Sequence, residues 1–226
     1  MFLAAVLQFS QTSYMEFGSE QPLVLSYLDL RKSVGAIGMA LPFVLALGRM
    51  LLEAPGILAS MSAYYYSVMG NVFVGSLCAI GVFLWSYRYG RVDAIAGHLA
   101  CIFALGVAFF PTTPAVGATP HDVIIGIVHA ISAAGFFLTL AFFALVLFRK
   151  TDPTKIPTPR KRQRNMVYTV CGYTILTCLA LDVALHFLPS GSAVFQFAPT
   201  FWLESIAVVS FGISWIVKGE AILGDL

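Results

Sequence analysis

The sequence predicts an all-α integral membrane protein, a bundle of six transmembrane helices with both termini in the cytoplasm. Three observations predict it: an extreme apolar composition, six apolar runs of helical length, and a one-sided distribution of Lys and Arg. Apolar residues make up 59% of the 226 residues and charged residues 11%, against roughly 45–50% and about 25% in soluble domains. A soluble fold of this length has no interior large enough to hide that surface. The composition therefore excludes a soluble globular enzyme, a disordered chain and a nucleic-acid-binding protein.

A hydrocarbon core about 30 Å thick is crossed by roughly 20 helical residues. The apolar runs cover residues 34–52, 70–87, 95–110, 123–148, 166–188 and 201–217. They are continuous rather than alternating, and lipid offers the backbone no hydrogen-bond partner, so each reads as a helix and not a barrel strand. Pro42 lies inside the first run and predicts a kink. Asp93 and Asp122 stand at or just before the starts of runs, where a carboxylate suits a helix N-terminus, and Pro111 closes the third run. Residues 1–9 are apolar but too short to cross, with no basic segment and no small-residue cleavage site. Residues 1–30 thus read as a cytoplasmic or interfacial tail, and residues 31–226 as the membrane domain.

The thirteen Lys and Arg residues set the orientation. Arg31 and Lys32 precede the first run, Arg88 and Arg91 separate the second and third, and Lys218 follows the sixth. Arg149, Lys150, Lys155, Arg160, Lys161, Arg162 and Arg164 crowd the segment between the fourth and fifth. With six crossings all of these fall on one side, leaving Arg49 on the other, and the positive-inside rule makes the basic side cytoplasmic. The protein is thereby expected in a bacterial inner membrane. Pro153, Pro157 and Pro159 predict a non-helical connection over 149–165, either a simple topology anchor or a contact for anionic lipid headgroups. On the opposite side Arg49 and Glu53, four apart, predict an exposed helix pair. Tyr64, Tyr65, Tyr66 and Trp202 there, and Trp85, Tyr87, Tyr89 and Trp215 on the basic side, read as aromatic belts.

The four cysteines, Cys78, Cys101, Cys171 and Cys178, lie inside apolar runs without a C-x-x-C pair, so no disulfide framework or zinc ribbon is expected. Ala130, Ala134, Ala141, Ser210, Ser214 and the glycines 75, 81, 97 and 106 predict close-packing helix faces. No internal repeat of the inverted-transporter kind is visible.

Ionisable groups at membrane depth are costly and point to function. Asp122 and His129 share one face of the fourth run, Asp182 and His186 share one face of the fifth, and Glu204 lies one turn inside the sixth. All fall toward the outer side, with His121 at the mouth, whereas His98 belongs to the basic side. Three readings follow: a self-satisfied polar cluster locking the helices, an outward-opening pocket for a lipid headgroup or small solute, or a metal or acid–base site. His129, Asp182, His186 and Glu204 are suitable metal ligands. Neither a tight paired-histidine motif nor a nucleophile elbow, P-loop or dinucleotide fingerprint accompanies them.

The stretches Ser60-Met-Ser-Ala-Tyr-Tyr-Tyr, Val72-Phe-Val-Gly-Ser, Ala96-Gly-His, Gly106-Val-Ala-Phe-Phe-Pro-Thr-Thr and His129-Ala-Ile-Ser-Ala-Ala-Gly-Phe-Phe resemble an uncharacterised bacterial family of six-span membrane proteins, a domain of unknown function. Arg164-Asn165, Phe201-Trp-Leu-Glu-Ser and Ser214-Trp-Ile-Val-Lys-Gly-Glu extend the likeness, which runs from about Leu28 onward. The family is distantly similar to DRAM-type and Sfk-type membrane proteins. The resemblance implies a Ser/Tyr motif before the second span (Ser60, Ser62), Phe110–Pro111 at the outer end of the third and His129 on the fourth. Asp182 and His186 lie outside the shared pattern, which narrows any reactive site to His129 and Glu204.

The leading functional expectation is a non-enzymatic accessory or scaffold protein that binds lipid or a membrane partner, without a cofactor. Its pocket would comprise Ser60, Ser62, Tyr64, His121, Asp122, His129, Asp182, His186 and Glu204. The alternatives are a metal-dependent membrane hydrolase or lipid-modifying enzyme, a small transporter, and a subunit of a larger membrane complex.

Overall fold

Among the described residues six α-helices follow one another through short connections: α1 (Gln21–Leu52), α2 (Gly70–Trp85), α3 (Arg91–Phe109), α4 (Pro120–Phe142), α5 (Pro159–Leu185) and α6 (Pro199–Lys218). The computed structural model describes residues 21–151, 154, 157–189 and 191–220, with side chains from residue 27. Two short 3-10 turns, Ser62–Tyr66 and Ala193–Phe197, shape the connections before α2 and α6. A π-turn over Phe143–Leu147 prolongs α4, closed by the Phe148 N–H on the Phe143 carbonyl at 2.9 Å. Among the described residues there is no strand. Among the described residues five helices are long and apolar enough to cross a membrane, and α2, at 16 residues, is shorter.

Each helix packs on its neighbour in sequence, and α6 closes the ring by packing on both α5 and α1. At one end, here the basic end, the Arg31 guanidinium donates to the Lys218 carbonyl at 3.0 Å, and the Lys150 ammonium meets the Asp93 carboxylate at 2.8 Å. At the opposite, distal end, the Tyr66 hydroxyl donates to the Thr112 carbonyl at 2.7 Å, and the Phe201 N–H to the Ala59 carbonyl at 3.0 Å. Large apolar side chains cover the outside of the ring as well as its inside. Leu51 is 82% exposed, Met166 70% and Ile131 64%. Such a surface suits hydrocarbon and not water.

α1 and α6 approach so closely that a side chain cannot fit between them. A Cβ on Gly212 would lie 2.7 Å from the Gly35 carbonyl oxygen, and one on Gly35 would lie 2.7 Å from the Gly212 carbonyl oxygen. Gly97 sits equally tight against the Leu84 carbonyl, and Gly106 against Ser132. Gly75 faces open space instead, so the expected packing role does not extend to it.

Several expectations change in the folded chain. α1 is helical from Gln21, so the last ten residues assigned to the tail belong to the helix; residues 1–20 lie outside the described residues. α5 begins at Pro159 and not near Met166. Proline suits the first helical position, where no N–H is needed, and the Thr158 hydroxyl caps the turn by accepting the Lys161 N–H at 3.1 Å. Arg160, Lys161, Arg162 and Arg164 are therefore helical rather than part of an irregular loop. Tyr64, Tyr87 and Trp215 are buried, not members of an interfacial belt. Trp215 is the hub of an aromatic block at the basic end, with ring centroids 5.2 Å from Tyr87 and Phe148, 5.5 Å from Phe143 and 5.9 Å from Phe211. The four cysteines are free.

Candidate functional site

The distal end is built around the loop that joins α1 to α2. Arg49 and Glu53 form an i,i+4 pair at 3.7 Å, but not the exposed one expected, since the Arg49 side chain is 14% exposed, and each does more than pair. Arg49 donates to the Gly56 carbonyl at 2.8 Å, and Glu53 accepts the Val68 N–H at 3.0 Å, so the pair clamps both arms of the loop. Within it, the buried Tyr64 hydroxyl accepts the Leu58 N–H at 3.3 Å, and the Ser60 hydroxyl accepts the Ala63 N–H at 3.0 Å. Tyr66, half exposed, sits on its outer side with its hydroxyl on the Thr112 carbonyl; partial desolvation and the nearby Asp122 raise its phenol above the ordinary range.

Two intramembrane groups then fasten this loop to the bundle. Glu204 on α6 accepts the Met61 N–H through Oε2 at 2.6 Å, and the Ser62 N–H and hydroxyl face the same carboxyl. His129 on α4 is buried and bonded on both ring nitrogens: Nδ1 lies 2.6 Å from the Phe110 carbonyl oxygen and Nε2 lies 2.9 Å from the Ser62 hydroxyl. A carbonyl oxygen only accepts, so Nδ1 carries the proton. In the neutral ring Nε2 is then an acceptor, so the one proton of the Ser62 hydroxyl faces two acceptors, Nε2 and the Glu204 carboxyl.

Beside these groups, in the wedge between α4, α5 and α6, lies a cavity of about 320 Å³. Ser60, Ser62, His129, Asp182, His186 and Glu204 line it on the polar side, and Ala133, Ala134, Phe137, Leu179 and Leu203 are among its apolar walls. Its mouth shares Ser60, Thr112, His186 and Thr200 with a wider distal vestibule. On the other side of Ser62 and Glu204 a narrow apolar slot of about 40 Å³ continues toward Phe136 and Phe211.

The structure thus gathers six of the nine pocket residues read from the sequence. Tyr64, His121 and Asp122 stand apart from the cavity. Tyr64 supports the loop from within, and His121 is exposed. Asp122 caps α4: its carboxylate accepts from the Thr119 N–H at 2.8 Å, and the Thr119 hydroxyl accepts the Asp122 N–H at 3.2 Å. Ala130 and Ala134, expected in helix packing, line the cavity. The Asp182–His186 pair also differs from expectation. His186 Nδ1 donates to the Asp182 backbone carbonyl at 2.9 Å, leaving Asp182 Oδ1 buried without a partner among the described residues.

The four-ligand metal alternative does not assemble. His129, Asp182, His186 and Glu204 share a cavity, yet no three His, Cys, Asp or Glu among the described residues are grouped to hold a metal ion. Both nitrogens of His129 are already engaged by protein groups. His98, at the other end, stacks on Trp85 with ring centroids 4.0 Å apart.

The partners of His129 and Glu204 are backbone groups, the Phe110 carbonyl and the Met61 N–H, and no residue type announces those. The 60–62 serines were legible, but not that Ser62 would meet a histidine 67 residues later.

Of the seven basic residues over 149–165, Arg149 and Arg162 are exposed, and Lys150 is half exposed while paired with Asp93. Arg164 is buried and Lys161 donates to the Phe148 carbonyl at 3.1 Å, so these two turn inward rather than toward headgroups. Lys155 lies outside the described residues.

No family model, no curated protein and no solved structure matches this chain.

Proposed function

We propose that this is a six-span inner-membrane protein, with both termini cytoplasmic, that binds a membrane amphiphile in the cavity between α4, α5 and α6. Connectivity supports the sixth span. α1 ends at the distal end and α3 begins at the basic end, so the chain between them returns along the bundle, and α2 makes that return. At 1.5 Å per residue α2 is about 24 Å long, and a helix shorter than the hydrocarbon is accommodated by local thinning. The gathering of the cations at one end supports the orientation. A topology reporter placed after Thr151 is expected to read cytoplasmic; a periplasmic signal there overturns the orientation.

One observation carries the binding reading: a cavity with a polar mouth and apolar walls that opens at the distal end of the bundle, beside lipid-facing helices. Its polar side offers two carboxylates, two imidazoles and hydroxyls, and no Lys or Arg. That chemistry suits a neutral or amine-bearing headgroup and disfavours a bare phosphate. The acyl portion would lie along Ala133, Phe137 and Leu203. The likeness to the bacterial six-span family belongs to this proposal, because Ser62, Phe110 and His129, all in its shared motifs, meet beside the cavity.

The test uses the full chain in bilayer vesicles with a photoactivatable neutral glyceride. Crosslinks concentrated on Ala130–Phe137 and Leu179–Phe187, and competed by unlabelled glyceride, support the reading. Crosslinks spread evenly over outward residues such as Ile124 and Leu138 overturn it. The basic end would meet anionic headgroups chiefly through Arg149, Lys150 and Arg162, and vesicles lacking anionic lipid should then bind the isolated 149–165 peptide weakly.

A further inference from the structure

We infer that Ser62 is a nucleophile and His129 its general base, and that the bound amphiphile is a carboxylic ester whose acyl group passes through Ser62. This inference rests on the binding reading above, since the ester must reach the cavity.

The geometry is that of an activated hydroxyl. A serine becomes nucleophilic when a base accepts its proton and a third group orients the base. Here His129 Nε2 lies 2.9 Å from the Ser62 hydroxyl oxygen, and Nδ1–H is held at 2.6 Å by the Phe110 carbonyl. The carbonyl fixes the tautomer, so the Nε2 lone pair has one partner, the hydroxyl. The role that a carboxylate plays in a triad falls to a backbone oxygen on another helix end. Ser62 lines both the cavity and the apolar slot behind it, so an ester lying between them brings its carbonyl past the hydroxyl. Glu204 acts as a positioning residue: by holding the Met61 N–H at 2.6 Å it fixes the backbone next to Ser62. A histidine needed only to tie α4 to the loop could do so through either ring nitrogen and need not face a cavity.

The chemistry balances without a redox partner or metal. The Ser62 oxygen forms a bond to the ester carbonyl carbon while its proton moves to His129 Nε2. The tetrahedral adduct then collapses, breaking the ester C–O bond, and the departing alcohol oxygen takes the proton from Nε2. An acyl-Ser62 and a free alcohol result. Water, or the hydroxyl of a second lipid, attacks the acyl-Ser62, passes its proton to Nε2, and releases the acid or a new ester as Ser62 recovers its hydrogen.

The experiment applies a long-chain alkyl fluorophosphonate to the full-length protein in vesicles, with the adduct located by peptide mass mapping. The expected adduct is on Ser62. It should be lost in Ser62→Ala and slowed at least about a hundredfold in His129→Gln, which keeps hydrogen-bonding groups but is no base. If His129 is merely structural, His129→Gln labels at the wild-type rate. An adduct on Ser60 or elsewhere, or no adduct at all in the wild type, overturns the proposal. Glyceride crosslinking on the same vesicles separates the two failures: crosslinks without an adduct remove the nucleophile and leave the pocket, whereas the loss of both removes both. With a radiolabelled acyl ester, release of free acid indicates hydrolysis and a new ester indicates transfer; neither product, with no acyl-Ser62, also overturns the inference.

Discussion

The two ends of this bundle solve the problem of polar groups in an apolar solvent in opposite ways. At the basic end the chain seals itself. The Arg31 guanidinium, 7% exposed, lies 4.6 Å over the Tyr89 ring and 5.7 Å over that of Tyr87, and the Lys218 ammonium stands 5.6 Å over Phe148. Aromatic faces replace part of the water that these cations give up. Behind them Trp215 and its ring neighbours fill the interior. At the distal end His129, Ser62 and Glu204 are also bonded, but around a cavity whose walls include alanines 130, 133, 134 and 207. A cavity of 320 Å³ means fewer packing contacts for the side chains that line it. One end of the bundle is packed for stability, and the other holds space open.

That contrast can be broken most directly by equal deletions at the two ends. Trp215→Ala should cost about 3–5 kcal/mol, because contacts vanish on every side of a side chain that is 1% exposed. Phe137→Ala, which enlarges an existing cavity, should cost about 2 kcal/mol or less. Thermal unfolding in detergent measures both, and equal costs would remove the distinction. Next in size, Gly212→Ala should destabilise by about 1–3 kcal/mol, since the new Cβ meets the Gly35 carbonyl at 2.7 Å and α1 must move away from α6. His129→Ala should lose about 1–3 kcal/mol by leaving the Phe110 carbonyl and Ser62 hydroxyl unpartnered, and should also abolish glyceride crosslinking. His98→Ala, at the sealed end, should leave crosslinking unchanged; equal effects of the two variants at equal expression would remove the distal pocket. The smallest change concerns Ala198, which precedes α6 with φ +48°, a conformation that costs a non-glycine residue about 1 kcal/mol. Ala198→Gly should raise stability by about 0.5 kcal/mol after the greater freedom of the unfolded glycine is counted.

How much of this was legible in the sequence follows from what composition and charge encode. Hydropathy marks where a helix is immersed, so the six apolar runs anticipated the six helices of the described residues. It does not mark where a helix starts, which depends on capping. Pro159 reads as a breaker in isolation and is a helix starter once Thr158 stands before it. Aromatic residues near span ends were equally ambiguous: Tyr66 and Trp202 are exposed, while Tyr64 and Trp215 face inward, a choice made by helix rotation and not by residue type. The ionisable residues at membrane depth were visible, because few sequences carry them there. The helix-start role of Asp122 was legible too, but not that the Thr119 cap would keep it out of the pocket that Asp182 and Glu204 line. The Gly35–Gly212 approach had no sequence signal, being a match between two helices far apart along the chain.

The bond from the Met61 N–H to Glu204 joins positions 143 residues apart. A ribosome releases helices into the bilayer in order, so the segment carrying Ser62 enters with its eventual clasp still unsynthesised. His129 can engage it once α4 has emerged, but the last fastening waits for α6. A nascent chain stalled anywhere before residue 204 would therefore carry the serine without its carboxyl anchor, and the distal wedge stays unclasped until α6 has been made.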